Sequence, residues 1–119
     1  MAISEFQNTK TTGTASIASG ASLSAVVPLG GTVLTAIVMP AVWTTANLTF
    51  QASADNSAFN DVYTDAGVEY SVTAAGARYI VIDPADFAGI DYLKIRSGTT
   101  GTAVNQTAAR TLTLMVRPL

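Results

Sequence analysis

The chain has 119 residues, one domain by length, and only 12% of them are charged, against roughly 25% in an ordinary soluble domain, while 49% are apolar. Having no Cys and no His, it excludes disulfide scaffolds, thiolate zinc sites and iron–sulfur clusters, and it narrows any catalytic base or nucleophile to carboxylates, lysines and hydroxyls. A net charge of −2 offers nothing to attract nucleic acid or anionic lipid, and so few charges keep copies apart poorly, which predicts one piece of an assembly.

In chain order, Met1-Ala2-Ile3-Ser4-Glu5-Phe6 lacks the basic and apolar regions of a signal peptide. Residues 8–22 are almost wholly Thr, Ser, Ala and Gly around Lys10 and Ile17. Residues 1–20 therefore read as an N-terminal arm or an edge strand, ahead of a β-sandwich domain over 21–119. Leu23, Ala25 and Val27 alternate with Ser22, Ser24 and Val26, and Pro28-Leu29-Gly30-Gly31 turns the chain. Residues 33–39 are apolar except for Thr35, which predicts a strand buried on both faces. The whole apolar run, 33–42, is too short to span a bilayer, so no membrane is expected as a partner.

Leu48, Phe50 and Ala52 alternate with polar neighbours as a half-buried strand, and Asp55-Asn56-Ser57 is turn chemistry. Residues 61–63 and 68–72 read as a hairpin through Asp65-Ala66-Gly67, and Ala74-Ala75-Gly76 is a further break. In residues 78–83, Ile80 and Ile82 face one way, Tyr79 and Val81 the other. Asp83-Pro84-Ala85-Asp86-Phe87 starts a helix, with an N-cap Asp and Pro at the first position. Gly89 ends it, leaving one helical turn near residues 84–88. Leu93 and Ile95 point inward from the next strand, with Tyr92, Lys94 and Arg96 outward. After a polar loop over 97–109, Leu112, Leu114 and Val116 alternate with Thr111, Thr113 and Met115. The sum is an all-β fold: an antiparallel sandwich of about eight short strands with jelly-roll connections.

No combination of residues singles out a reaction. The acids fall mostly at turns, where they cap backbone, and no pair of them marks a glycosidase-like site. No cofactor and no metal is expected; Asp55-Asn56-Ser57 with Asp61 lacks the central Gly and terminal Glu of an EF-hand loop and reads as a capped turn. Trp43, in a loop after Pro40, either plugs the end of the sandwich or, with Tyr63, Tyr70, Tyr79 and Tyr92, stacks on a sugar. Lys94, Arg96 and Arg110 form a candidate basic cluster, suited to ion pairing within the fold or across a subunit boundary.

Two stretches carry a family likeness. One is Leu48-Thr49-Phe50-Gln51-Ala52-Ser53-Ala54-Asp55 with Phe59, Asp61 and Tyr63. The other runs from Arg78-Tyr79-Ile80 through Asp83-Pro84-Ala85-Asp86-Phe87-Ala88-Gly89 to Tyr92-Leu93-Lys94-Ile95-Arg96-Ser97-Gly98, then Asn105-Gln106 and Ala109-Arg110-Thr111-Leu112. Together they resemble small β-sandwich structural proteins of tailed bacteriophages, over most of residues 21–119. The resemblance implies a virion component without catalysis, made in the host cytoplasm: a capsid decoration, or cement, protein that clamps major capsid subunits on the outer shell. It implies a homo-oligomer, a trimer ahead of a dimer, and supplies no functional residues. The alternative is a carbohydrate-binding or adaptor module of a tail fibre or baseplate. The candidate partner-binding residues are Phe6, Lys10, Ile17, Trp43, Lys94 and Arg96, with the arm up to about Ser22 and one sandwich edge as the expected interface.

Overall fold

In the computed structural model, which describes residues 11–118, eight strands form two four-stranded antiparallel sheets. The strands are β1 (Thr11–Ile17), β2 (Val27–Pro28), β3 (Thr32–Val38), β4 (Leu48–Ser53), β5 (Asn60–Asp61), β6 (Tyr79–Val81), β7 (Tyr92–Ser97) and β8 (Arg110–Pro118). The first sheet has the order β1-β8-β3-β6 and the second β2-β7-β4-β5. Early strands thus pair with late ones in nested fashion: β1 with β8, β2 with β7, β3 with β6, β4 with β5. Such nesting is a long two-stranded ribbon wound around a barrel, the jelly-roll arrangement.

Of the stretch 1–20, residues 11–17 are the edge strand β1, in unbroken register with β8 from Thr11↔Val116 to Ile17↔Arg110. The sandwich therefore begins N-terminal to residue 21. The alternation over 23–27 yields less strand than it predicts: only Val27–Pro28 pairs as β2, with an isolated bridge from Leu23 to Arg96. Between them Ser24 Oγ accepts the Ile95 N–H, so a side chain occupies part of the ladder.

The long apolar run in β3 owes its burial to a bulge. The register with β8 shifts between Leu34 and Ala36, and Thr35 Oγ1 donates to the Met115 carbonyl there. One extra residue re-phases the strand, so Leu34 and Ile37 both reach the core although three positions apart. The inner faces meet in one cluster, with Ile17, Leu34, Ile37, Leu112 and Leu114 from the first sheet and Leu48, Phe50, Leu93 and Ile95 from the second.

Asp83 caps a 3-10 turn at Pro84–Phe87 as its sequence predicts, accepting from Ala85 N. That turn delivers Phe87 onto Phe50 and Tyr70 in edge-on contacts of 5.2 and 5.4 Å between ring centroids. The 62–70 hairpin closes at Gly67, whose φ of +81° is open to Gly at no steric cost. Residues 68–72 make isolated bridges, Tyr63 to Glu69 and Leu48 to Val72, instead of a full strand.

Candidate functional site

Asp61, Glu69, Lys94 and Arg96 gather on the outer face of the second sheet. Thr49 and Gln51 of β4, Asp61 of β5, and Lys94 and Arg96 of β7 share that face through the registers Thr49↔Arg96, Gln51↔Asp61 and Gln51↔Lys94. Arg96 is its centre. The guanidinium ion-pairs with Asp61 and with Glu69 (3.3 Å) and also donates to Thr49 Oγ1 and Thr100 Oγ1. Glu69 in turn accepts from the Thr100 amide and hydroxyl. The Arg96 hydrogen bonds hold the Asp61 carboxyl below its usual range. The result is a pin tying β4, β5, β7, the 62–70 hairpin and the loop after β7. Gly98, φ +92°, lets that loop turn where any Cβ would meet the Thr102 carbonyl at 2.5 Å.

Alternation correctly sends Arg96 away from the core, yet it is buried, because the hairpin and loop roof that side of the sheet. Its cationic charge is spent inside the molecule. Lys94 stands apart, its Nζ 4.3 Å from the Phe59 ring centroid, and Arg110 donates to Gln106 Oε1, Thr44 Oγ1 and Thr107 Oγ1. The three cations thus have separate partners and do not form one basic patch.

The other candidate residues are redistributed as well. Ile17 lies fully in the core, out of reach of any partner of the folded domain. Trp43 is 9% exposed and donates from Nε1 to the Ala46 carbonyl, so it plugs the sandwich end and offers no ring face for a sugar. Phe6 and Lys10 lie outside the described residues. Asp55 caps its own turn, accepting from Ser57 N, Ala58 N and Ser53 Oγ, which lowers its pKa. Asp55 and Asp61 therefore serve different neighbours.

Sequence reasoning missed Gln106. It is fully buried in the polar loop, joining Thr44 N and O, Ser97 Oγ and Arg110 Nε, and so ties the two ends of the sandwich's loops together. A single Gln among Thr, Ala and Asn carries no local signal of that role.

Among the described residues, a groove and a sheet face stand open to solvent. One is a groove of about 380 Å³ lined by Val62, Tyr63, Thr64, Asp65, Tyr70 and Asp86. Tyr63 is 54% exposed there, and the Tyr70 hydroxyl donates to Asp86 at 3.0 Å; burial and then that bond push the Tyr70 pKa up to about 12. The other is the outer face of the first sheet. Its cross-strand rows read Thr12, Met115, Ala36, Val81 and Thr14, Thr113, Val38, Tyr79. Hydroxyls stand at one side of this face and apolar groups at the other. The only charges on its four strands are Arg110 and Arg117, near the two ends of β8. Compared with known proteins, the chain matches no protein-family model and no curated sequence.

Proposed function

We propose that this chain is a non-catalytic structural protein of a tailed-phage virion, a capsid decoration protein that clamps neighbouring major capsid subunits on the outer shell. The observation that carries this reading is the outer face of the first sheet, whose strands hold no charge except near the two ends of β8. A flat surface of Thr, Ser, Ala, Val, Met and Tyr can be covered without stripping water from ions, the chief cost of burying a polar surface. The jelly roll and the phage-like stretches agree with it, although a fold of this kind hosts many functions. Clamping works by mass action. A protein that binds only the assembled shell stabilises each site by about 2.7 kcal/mol at a hundredfold excess over Kd. Co-sedimentation with shells of the major capsid protein tests this, with saturable binding and a raised shell-disruption temperature as the expected result. Thr14→Glu, a charge set into the exposed hydroxyl side, should weaken attachment. Shells that gain neither the protein nor thermal resistance overturn the reading.

The groove at Tyr63 favours a second reading, sugar recognition by a tail-associated module, because one exposed ring beside two carboxylates suits a sugar face and its hydroxyls. A glycan screen decides it: binding lost in Tyr63→Ala supports this reading, and no binding removes it.

A further inference from the structure

The first sheet ends in an open edge. β6 has β3 on one side and no described strand on the other. Met39 N donates to the Arg78 carbonyl and Ile82 N donates to the Thr35 carbonyl, so Arg78, Ile80 and Ile82 turn their main-chain groups toward β3. By the alternation of an antiparallel ladder, Tyr79 and Val81 turn theirs toward the open side. No hydrogen bond from another described residue reaches those groups. The same two residues have exposed side chains, 62% for Tyr79 and 82% for Val81. The strand itself is Tyr79-Ile80-Val81, with none of the Lys or Pro that natural edges use to repel a neighbour.

We propose that β6 pairs with the β6 of a second copy of this chain, antiparallel about a twofold axis at Ile80, joining the two first sheets into one of eight strands. In that register Tyr79 faces the partner's Val81 and exchanges both main-chain hydrogen bonds with it. The symmetric pair does the same, so four bonds use every outward group of the two strands. Each aromatic ring lies beside a β-branched side chain, a favourable cross-strand pair. The charges select this occupant and this direction. Arg78, exposed and in no ion pair among the described residues, precedes the strand, and exposed Asp83 follows it. Antiparallel self-pairing sets Arg78 of each copy near Asp83 of the other, whereas parallel pairing would set like beside like.

The test is the solution mass of the full chain by light scattering over a dilution series, together with three variants. The wild type should run at twice the 12.2 kDa of one chain and dissociate on dilution. Val81→Pro removes only an N–H that faces the open side and adds no charge. Losing that bond twice per dimer should weaken association roughly thirtyfold. Val81→Lys should act in the same direction through repulsion across the axis. Ile80→Cys gives the chain its one thiol, placed on the axis in a pair of close Cα spacing. Mild oxidation should convert it to a covalent dimer. A wild type that stays at one chain mass at hundreds of micromolar, or runs at three, overturns the proposal. So do valine variants that dissociate like the wild type, or folded Ile80→Cys that forms no covalent dimer. No shell enters these measurements, so they stand whatever becomes of the decoration reading.

Discussion

On the outer face of the second sheet, Arg96 is surrounded by Asp61, Glu69, Thr49 and Thr100. At the matching centre of the first sheet's outer face stand Thr113, Val38, Ala36 and Met115. The second sheet's charges are satisfied by its own hairpin and loop, which cover them. The first sheet has almost none to satisfy, and neither ion pair among the described residues lies on it. One face completes itself through ion pairs; the other is finished without ions and left open. The ion pairs of the second sheet's face lock its hairpin and loop to the fold, and the face with few charges is the one suited to being covered.

The comparison breaks most visibly at Arg96. Arg96→Met leaves two partly buried carboxylates without their cation and should cost about 3 kcal/mol in urea unfolding. Adding Asp61→Leu and Glu69→Leu should restore most of it, since a well-packed apolar cluster replaces an ion cluster at little cost. If the single and triple variants unfold alike, the pin is not electrostatic.

A smaller effect follows from acid. Asp61 has its pKa lowered in the folded state, so its contribution is present above the unfolded value of about 3.9 and is lost as the pH falls through the lower folded value. Stability followed by fluorescence should decline below about pH 4, and Asp61→Asn should flatten that decline.

Tyr70 sharpens the contrast from the alkaline side. Its folded pKa of about 12 exceeds the usual 10, so the folded state keeps the proton longer, and its contribution is full below pH 10 and lost as the pH rises toward 12. Tyr70→Phe should remove that loss and cost about 1 kcal/mol at neutral pH, the worth of one exposed hydrogen bond to Asp86.

The smallest effect belongs to the open face. Thr14→Glu should change the free energy of unfolding by about 0.5 kcal/mol or less, because Thr14 is exposed and no described side chain is shown bonded to its hydroxyl. A large loss there would mean that the first sheet's outer face carries fold stability after all.

Much of the architecture was legible because period-two alternation is a local signal. β7, β8 and the faces of β6 follow it residue by residue, and Asp83-Pro84 marks the helical turn by cap chemistry alone. The two outer faces depend on residues distant in the chain. Alternation places Arg96 on an outer face but does not say that Glu69, 27 residues earlier, and Thr100 will close over it. Trp43 fits either role by its sequence position, and the carbonyl that receives its N–H lies three residues on, in a loop with no periodicity. Thr11–Ile17 reads by composition as an arm or an edge strand, and it is the edge strand because β8 offers it a full ladder, with Ala15 and Ile17 entering the core. In each case the missing information was a long-range partner.

The nested pairing has a consequence for how the chain is made. β8 is the inner neighbour of both β1 and β3, yet the ribosome delivers it after the other seven strands. Until it emerges, the two strands it will separate have no partner along those edges, and the apolar residues Leu34 and Ile37 wait uncovered by Leu112 and Leu114. Closure of the first sheet is thus deferred until β8 has emerged, joining residues as distant as Ile17 and Arg110. So non-local a step is slow, and it leaves apolar surface exposed to self-association during the interval.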